Sequence, residues 1–300
     1  MDLKPGDIVA RRSYGCDVLF RVVRILEQEA KAELSGEELR LFADAPIEDL
    51  VPISSEELQE RQKKIKKREI DSYRLFRQDY QLLKMKREYS ATGGYAREDL
   101  YFELPGKVLH IDGDPNYLKK CLDLYDKLGV PVYGQYLKET EMPKGVTAWV
   151  EKIKPNILVL TGHDAYLKNK GATTDLNAYR HSRDFVTAVQ EARSVVRHPD
   201  HLVIFAGACQ SHFEALIRAG ANYASSPSRV NIHALDPVYI AAKVSLTSFM
   251  DRIKVWEALR NTITGEKGLG GIETKGILRT GMPIRKNPNG SDFQMDYLDS

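Results

Sequence analysis

Cysteine is scarce in this chain: three in 300 residues, Cys16, Cys121 and Cys209. Thiols this few and this scattered supply neither a disulfide framework nor a zinc site. Long apolar runs are missing too. Stretches such as Ile157–Leu160 and Leu202–Ala206 fall far below the ~20 residues of a membrane span. The opening MDLKPGDIVA lacks the apolar region of an export signal, so synthesis in a reducing cytosol without classical export is expected. Excess charge of one sign is absent as well, with Lys+Arg 44 against Asp+Glu 42 and a formal net charge of +2. That balance argues against a protein devoted to coating nucleic acid or an anionic membrane. What is present is ordinary soluble-protein material, 42% hydrophobic and 29% charged residues, enough to build a full core. The length sets one or two domains as the prior.

Residues 1–53 read as all-β. KPGDIVARRSYGCDVLFRVVRI opens on a Pro5–Gly6 turn and continues in short β-branched and aromatic runs. AELSGEELRLFADAP adds short strands around a turn at Ser35–Gly36. Strands this short in so few residues suit a small SH3-like β-barrel, a fold that binds peptides, RNA or neighbouring domains. Residues 54–98 follow as a helical basic linker. Ser54–Tyr89 holds no Gly or Pro and carries eleven basic against seven acidic side chains. Its apolar stripe, from Leu58 through Ile65, Leu75, Phe76, Leu82 and Leu83, is broken. One long solvated helix, or two, is the expectation. SATGGYARED, Ser90–Asp99, reads as an exposed joint and domain boundary.

Residues 99–300 alternate strand and helix. KVLHIDGD is a strand and PNYLKKCLDLYDKLG a helix stopped by Gly129. VPVYGQYL and VTAWVEKIKP repeat the pair, and NILVLTGHD is a third strand whose unbroken apolar core implies burial on both faces. A helix over about 182–196, the strand HLVIFAGACQ and the helix SHFEALIRAGA come next. A weaker strand near Val230–Leu235, helices through Asp236–Ile263 and a Gly-rich hairpin-and-loop tail complete the series. Such alternation predicts an α/β fold, caspase-like or Rossmann-like, with a mainly parallel sheet between helices.

Ligands of open parallel sheets bind beyond the carboxyl ends of the strands. Three ends carry chemistry: Asp112 and Asp114 on the first, Thr161-Gly162-His163-Asp164 on the third, Gly207-Ala208-Cys209-Gln210-Ser211 on the fourth. His163 and Cys209 therefore share one rim, a general base beside a nucleophile. Ser211 and Glu214 fit a capping box, which would start a helix just after Cys209 and lower its thiol pKa. The Cys209 N–H, with one from Gly162–Asp164, would serve as oxyanion donors. A buried strand-end cysteine also packs well without chemistry. No metal or organic cofactor is implied.

The Ala208-Cys209-Gln210 stretch, with His163 about fifty residues upstream, resembles the arrangement in the caspase, clostripain, gingipain and separase group. That group carries Gly after its His, where this chain has Asp164. A longer likeness runs through KPGDIVARRSYGCDVLFRVVRI, TGHDAY and FAGACQSHFEALIRAGANYASSPSRVNIHALDP. Over nearly the whole chain it resembles the sporulation-specific protease family YabG. The resemblance implies a cysteine protease with His163 and Cys209 as its catalytic pair. It implies protein substrates, spore coat and cortex-associated proteins cut after Arg or Lys, and a path from mother cell to spore coat. An arginine pocket needs a carboxylate, and the caspase-like group keeps one at the end of its first strand. Asp112 leads there, Asp114 has an alternative as the N-cap before Pro115, and Asp164 is a third candidate. Self-processing between Arg68 and Arg97 is a further expectation. Two other classes stay open: a glutamine-amidotransferase-like hydrolase using His233, and a non-enzymatic coat scaffold or RNA-binding module.

Overall fold

The structure is a computed structural model that describes residues 3–92 and 102–281. Its first unit is a five-stranded antiparallel sheet of β1 (Ile8–Arg11), β2 (Phe20–Leu26), β3 (Lys31–Gly36), β4 (Phe42–Pro46) and β5 (Leu50–Pro52). The spatial order is β4-β3-β2-β1-β5. Alternation drives it: in β3, Ala32 and Leu34 face inward while Lys31, Glu33 and Ser35 are only partly covered. A register shift between Val22 and Arg24 turns β2 and leaves Val23 exposed. The β3–β4 turn lies one step later than the sequence suggests. β3 continues through Gly36, and the connection is Glu37–Leu41.

Ser54 Oγ accepts the Glu57 N–H at 3.2 Å and begins α1 (Ser55–Thr92), a single helix. It is more than the solvated linker its broken stripe suggests. Phe76 is buried with its ring 5.8 Å from that of Tyr239. Asp79 meets Arg260 at 2.6 Å, and Arg87 reaches Glu103 at 3.0 Å and the Leu246 carbonyl at 2.9 Å. These anchors are mostly tips of long polar side chains, which an apolar periodicity does not register. The joint at Ser90–Asp99, and with it Arg97, falls almost wholly outside the described residues.

The second unit contains β6 (Phe102–Leu104), β7 (Val108–Asp112), α2 (Pro115–Leu128), β8 (Val132–Tyr136), α3 (Met142–Ile153) and β9 (Ile157–Thr161). It continues with α4 (Ser182–Val195), β10 (Val203–Ala206), α5 (Phe213–Ala219), β11 (Tyr223–Ser225) and α6 (Asp236–Leu246). β12 (Arg252–Ile253), α7 (Val255–Leu259), β13 (Leu269–Gly271), β14 (Thr274–Lys275) and β15 (Arg279–Gly281) follow. The main sheet runs β13-β11-β10-β9-β7-β8, parallel except for β13. Both faces of the central strands are buried. Leu109, Ile111, Leu158 and Leu160 pack with Val146 of α3 and Phe185 of α4, while Val108 and Val159 face Tyr125 of α2 and the α6 side. That second cluster also takes in Val9, Phe20 and Leu34 of the first sheet, so one core joins the two units.

Two expectations for the last third change. Val230–Leu235 forms no strand; the fifth parallel strand is the short β11, hidden behind the Gly220 stop of α5. The Gly-rich tail is not a hairpin, because β13, β14 and β15 pair with β11, β12 and β6 in turn. No helix among the described residues is long and apolar enough to cross a membrane.

Candidate active site at the carboxyl ends of the central strands

From β7 the chain steps outward to β8 and then returns to the other side of β7 as β9. The order reverses between β7 and β9, where the crevice of an open α/β sheet forms. Asp112, at the end of β7, stands in register with Thr161, at the end of β9. His163 lies just beyond Thr161, and Cys209 just beyond β10, whose Ala206 pairs with Leu160. Thr161 Oγ1 donates to the Gly207 carbonyl at 3.0 Å and ties the two ends together. Gly207 has φ +107°, and a Cβ there would strike Leu216 and Ser225 Oγ, so only glycine makes this exit.

His163 is held by carboxylates on both sides. Its Nε2 lies 3.4 Å from Asp114 Oδ2 and its Nδ1 3.3 Å from Glu139 Oε1. Its backbone N–H donates to the same Glu139 oxygen at 2.7 Å. Phe42 of the first sheet meets the ring edge-on at 6.0 Å. Burial opposes the imidazolium, but the hydrogen bonds and charges of Asp114 and Glu139 outweigh it and raise the pKa to about 9. His163 is therefore cationic at neutral pH.

Glu139 was not legible beforehand. It sits in the polar prelude to α3 and is buried only because Gly113 and Gly162 make room for it. A side chain on either glycine would collide with its carboxylate. Asp114 does cap α2, accepting N–H groups of Asn116 at 2.7 Å and Tyr117 at 3.1 Å, and faces His163 as well.

Cys209 is fully buried. Its thiol accepts the Ile232 N–H at 3.3 Å and lies 3.7 Å from the Ile232 carbonyl. Burial pushes the thiol up to about 12, against the lowering expected from a helix end; the Ile232 backbone and the charge and N–H of Arg40 only partly oppose it. The reason is local. Ser211 Oγ donates to Asp164 at 2.9 Å and accepts the Ala208 N–H at 2.9 Å, so no capping box forms. α5 starts at Phe213 with His212 as its N-cap, and Cys209 stands outside its first turn.

The three candidate carboxylates separate. Asp164 accepts from the N–H groups of Ala165 and His181, each at 2.8 Å, and from the hydroxyls of Ser182 and Ser211. It is a fastener between the loop after β9, the start of α4 and the Cys209 loop. Asp112 is equally buried but receives a distant partner. Arg40, from the β3–β4 connection, places Nη1 2.7 Å from Asp112 Oδ1 and Nη2 3.3 Å from Cys121 Sγ and 3.1 Å from the Ala234 carbonyl. The guanidinium lies 5.1 Å from the Tyr117 ring centre. His110, Asp112 and Cys121 also bring ligand atoms within 4.8 Å of one another, among the described residues. The cation in that nest is Arg40.

His233 follows Ile232 but turns away from the thiol. Its Nδ1 accepts the Leu235 N–H at 3.2 Å and its Nε2 lies 3.3 Å from Glu69 of α1. The two ring nitrogens of His233 thus face Leu235 and Glu69.

The family model described as YabG peptidase U57 matches residues 4–283. A curated relative, the "Sporulation-specific protease YabG" of Bacillus subtilis (strain 168), is 60% identical over 291 residues, 96% of this chain and 100% of the relative. No solved structure matches. With both likenesses running almost end to end, the chain belongs to the YabG peptidase U57 family, a family of sporulation proteases.

Proposed function

We propose that this chain is a cysteine endopeptidase that cuts proteins of the spore coat and cortex after arginine, and less readily after lysine. Cys209 is the nucleophile, His163 the general acid and base, and Asp112 the floor of the primary pocket. The observation that carries this reading is the pocket itself. A sealed carboxylate at the sheet's switch point, beside Cys209, already holds a guanidinium through Asp112, Cys121 and Ala234. Arginine fits such a nest better than lysine because its planar fork reaches several acceptors at once. Asp114 acts on His163 and Asp164 on the loop geometry, which leaves Asp112 for substrate. On this reading the unit that holds the site is caspase-like and the first sheet an SH3-like barrel.

The reaction needs the thiol as thiolate. Imidazolium at His163 supplies the counter-charge once the site opens to water and the burial of Cys209 is relieved. The thiolate attacks the carbonyl after the bound arginine. The Cys209 and Gly162 N–H groups hold the oxyanion; the His163 N–H is already committed to Glu139. Imidazolium protonates the leaving amine, and the neutral ring then takes a proton from water as the water attacks the thioester. Fluorogenic peptides ending in Arg, Lys, Asp or Asn test this with wild type, Cys209→Ala and His163→Ala. Cleavage after Arg, lost in both variants, is expected. Cleavage that survives Cys209→Ala would remove the thiol from the mechanism.

A further inference from the structure

Arg40 is the largest fully buried side chain among the described residues, and it belongs to the wrong unit. It comes from the β3–β4 connection of the first sheet, while everything it touches belongs to the second. Burying a guanidinium costs several kcal/mol unless it is paired. This one keeps one gap: Arg40 Nε is buried without a hydrogen-bond partner, while Asp112 Oδ2 and His110 Nε2 face each other at 3.4 Å.

The backbone around Arg40 is also laid out like a bound peptide. Leu39 forms an antiparallel bridge with His233, and the Ala234 N–H donates to the Glu38 carbonyl at 3.1 Å. Glu38-Leu39-Arg40 thus adds a strand fragment to the segment that follows the Cys209 loop, as extended peptides add to open strand edges. Tyr117 fixes the hairpin from below, its hydroxyl donating to the carbonyls of Gly36 and Leu39. Past Arg40 the likeness ends. The Leu41 N–H turns back to the Leu39 carbonyl at 2.7 Å, and the Leu41 carbonyl accepts the Gly36 N–H at 2.8 Å. A substrate would continue extended; this segment folds away.

We infer that the Glu37–Leu41 hairpin is an internal pseudosubstrate, with Arg40 seated in the pocket that takes the substrate's arginine, so that the enzyme is latent until the hairpin lifts. The inference rests on the function proposed above and adds its regulation. It also makes Cys121, Tyr117 and the Ala234 carbonyl determinants of arginine specificity. A cleft of about 600 Å³ borders Glu38 and Leu39 and reaches Asn231 and His233, giving the hairpin somewhere to move.

The test reads the pocket without catalysis. The full chain is treated with iodoacetamide, with and without agmatine as a guanidinium probe, and alkylation is mapped by mass spectrometry at Cys209 and at the partly exposed Cys16. A ligand that binds only the lifted state increases that state's population. Agmatine should therefore speed labelling of Cys209 in wild type, with saturation, and leave Cys16 unchanged. Arg40→Ala should label at Cys209 at least about tenfold faster than wild type, and agmatine should raise its melting temperature by more than that of wild type. Arg40→Lys, which keeps the charge without the fork, should fall between. Wild-type labelling indifferent to agmatine would overturn the inference even if no variant folds, and so would a wild-type chain found cut after Arg40. If labelling responds as stated while no arginine peptide is cut, the liftable hairpin and its guanidinium pocket stand and the arginine-cleavage reading beneath them fails.

Discussion

Asp112 and Asp164 are both fully buried carboxylates at the carboxyl rim of one parallel sheet, one at the end of β7 and the other just beyond β9. Their surroundings differ in kind. Asp164 is satisfied by donors from its own neighbourhood, two N–H groups and two serine hydroxyls. Asp112 accepts one local N–H, from Asp114 at 3.0 Å, and is otherwise met by charged or chargeable groups: Arg40 of the first sheet at 2.7 Å and His110 Nε2 at 3.4 Å. Burial pulls both acids upward. At Asp112 the Arg40 charge and the His110 contact reverse the shift and hold the pKa below the ordinary value; at Asp164 the hydrogen bonds leave it raised. A carboxylate with a structural role is closed by local, uncharged donors. One whose counter-charge is brought in from the other unit of the chain has the form of a site that exchanges partners.

The largest effect should come from Asp112→Ala. Removing one member of a buried pair strands Arg40, at a cost of about 3–5 kcal/mol. The same change should abolish preference for arginine peptides and unseat the hairpin, so that Cys209 labels faster. Unfolding curves and a peptide panel read both. Arginine preference intact in a folded Asp112→Ala would erase the contrast between the two acids. Asp164→Asn should cost less, about 1–3 kcal/mol, since one mismatched donor among four partners is left unpaired. Arginine preference should be unchanged in it. A switch in preference with Asp164→Asn would make that residue part of the pocket after all.

How much of this could be read in advance follows the range of each interaction. The first sheet's strands apart from the later β3–β4 turn, the Asp114 cap and Gly129 stop of α2, and the apolar runs of β7, β9 and β10 are local patterns, and the structure has them where the sequence suggests. His163 and Cys209 were legible as strand-end residues. Arg40 was not, because its partners are 72 residues away at Asp112 and 194 away at Ala234, and no periodicity marks such a contact. Glu139 was hidden for a related reason: its burial depends on two glycines from two different strand ends. The expected lowering of the Cys209 pKa failed on a competition. Ser211 Oγ accepts the Ala208 N–H and donates to Asp164 rather than accepting an N–H of a following helical turn, so the helix began later, the thiol lost its helix end and burial raises it.

The smallest effect concerns the second pair of carboxylates at the rim, Asp114 and Glu139. Glu139→Gln keeps an acceptor for the His163 N–H but removes one of the two charges that hold the ring cationic. The His163 midpoint, followed by NMR, should fall by about one unit or more from its position near 9. The sign for stability follows from linkage. A histidine whose folded pKa lies above its unfolded value near 6.5 binds its proton more tightly when folded. Its contribution is therefore complete below that unfolded value and fades as pH rises toward 9. The shift corresponds to about 3 kcal/mol. Wild type should thus lose stability between pH 6.5 and 9, and Glu139→Gln should lose less over the same interval because there is less to lose. Asp114 and Glu139, both held below their ordinary values chiefly by hydrogen bonds and charge from His163 against their burial, give the opposite limb, with stability lost as acid protonates them. A His163 midpoint that stays near 9 in Glu139→Gln would assign the whole effect to Asp114. The helix cap itself would then be the group that sets the charge of His163.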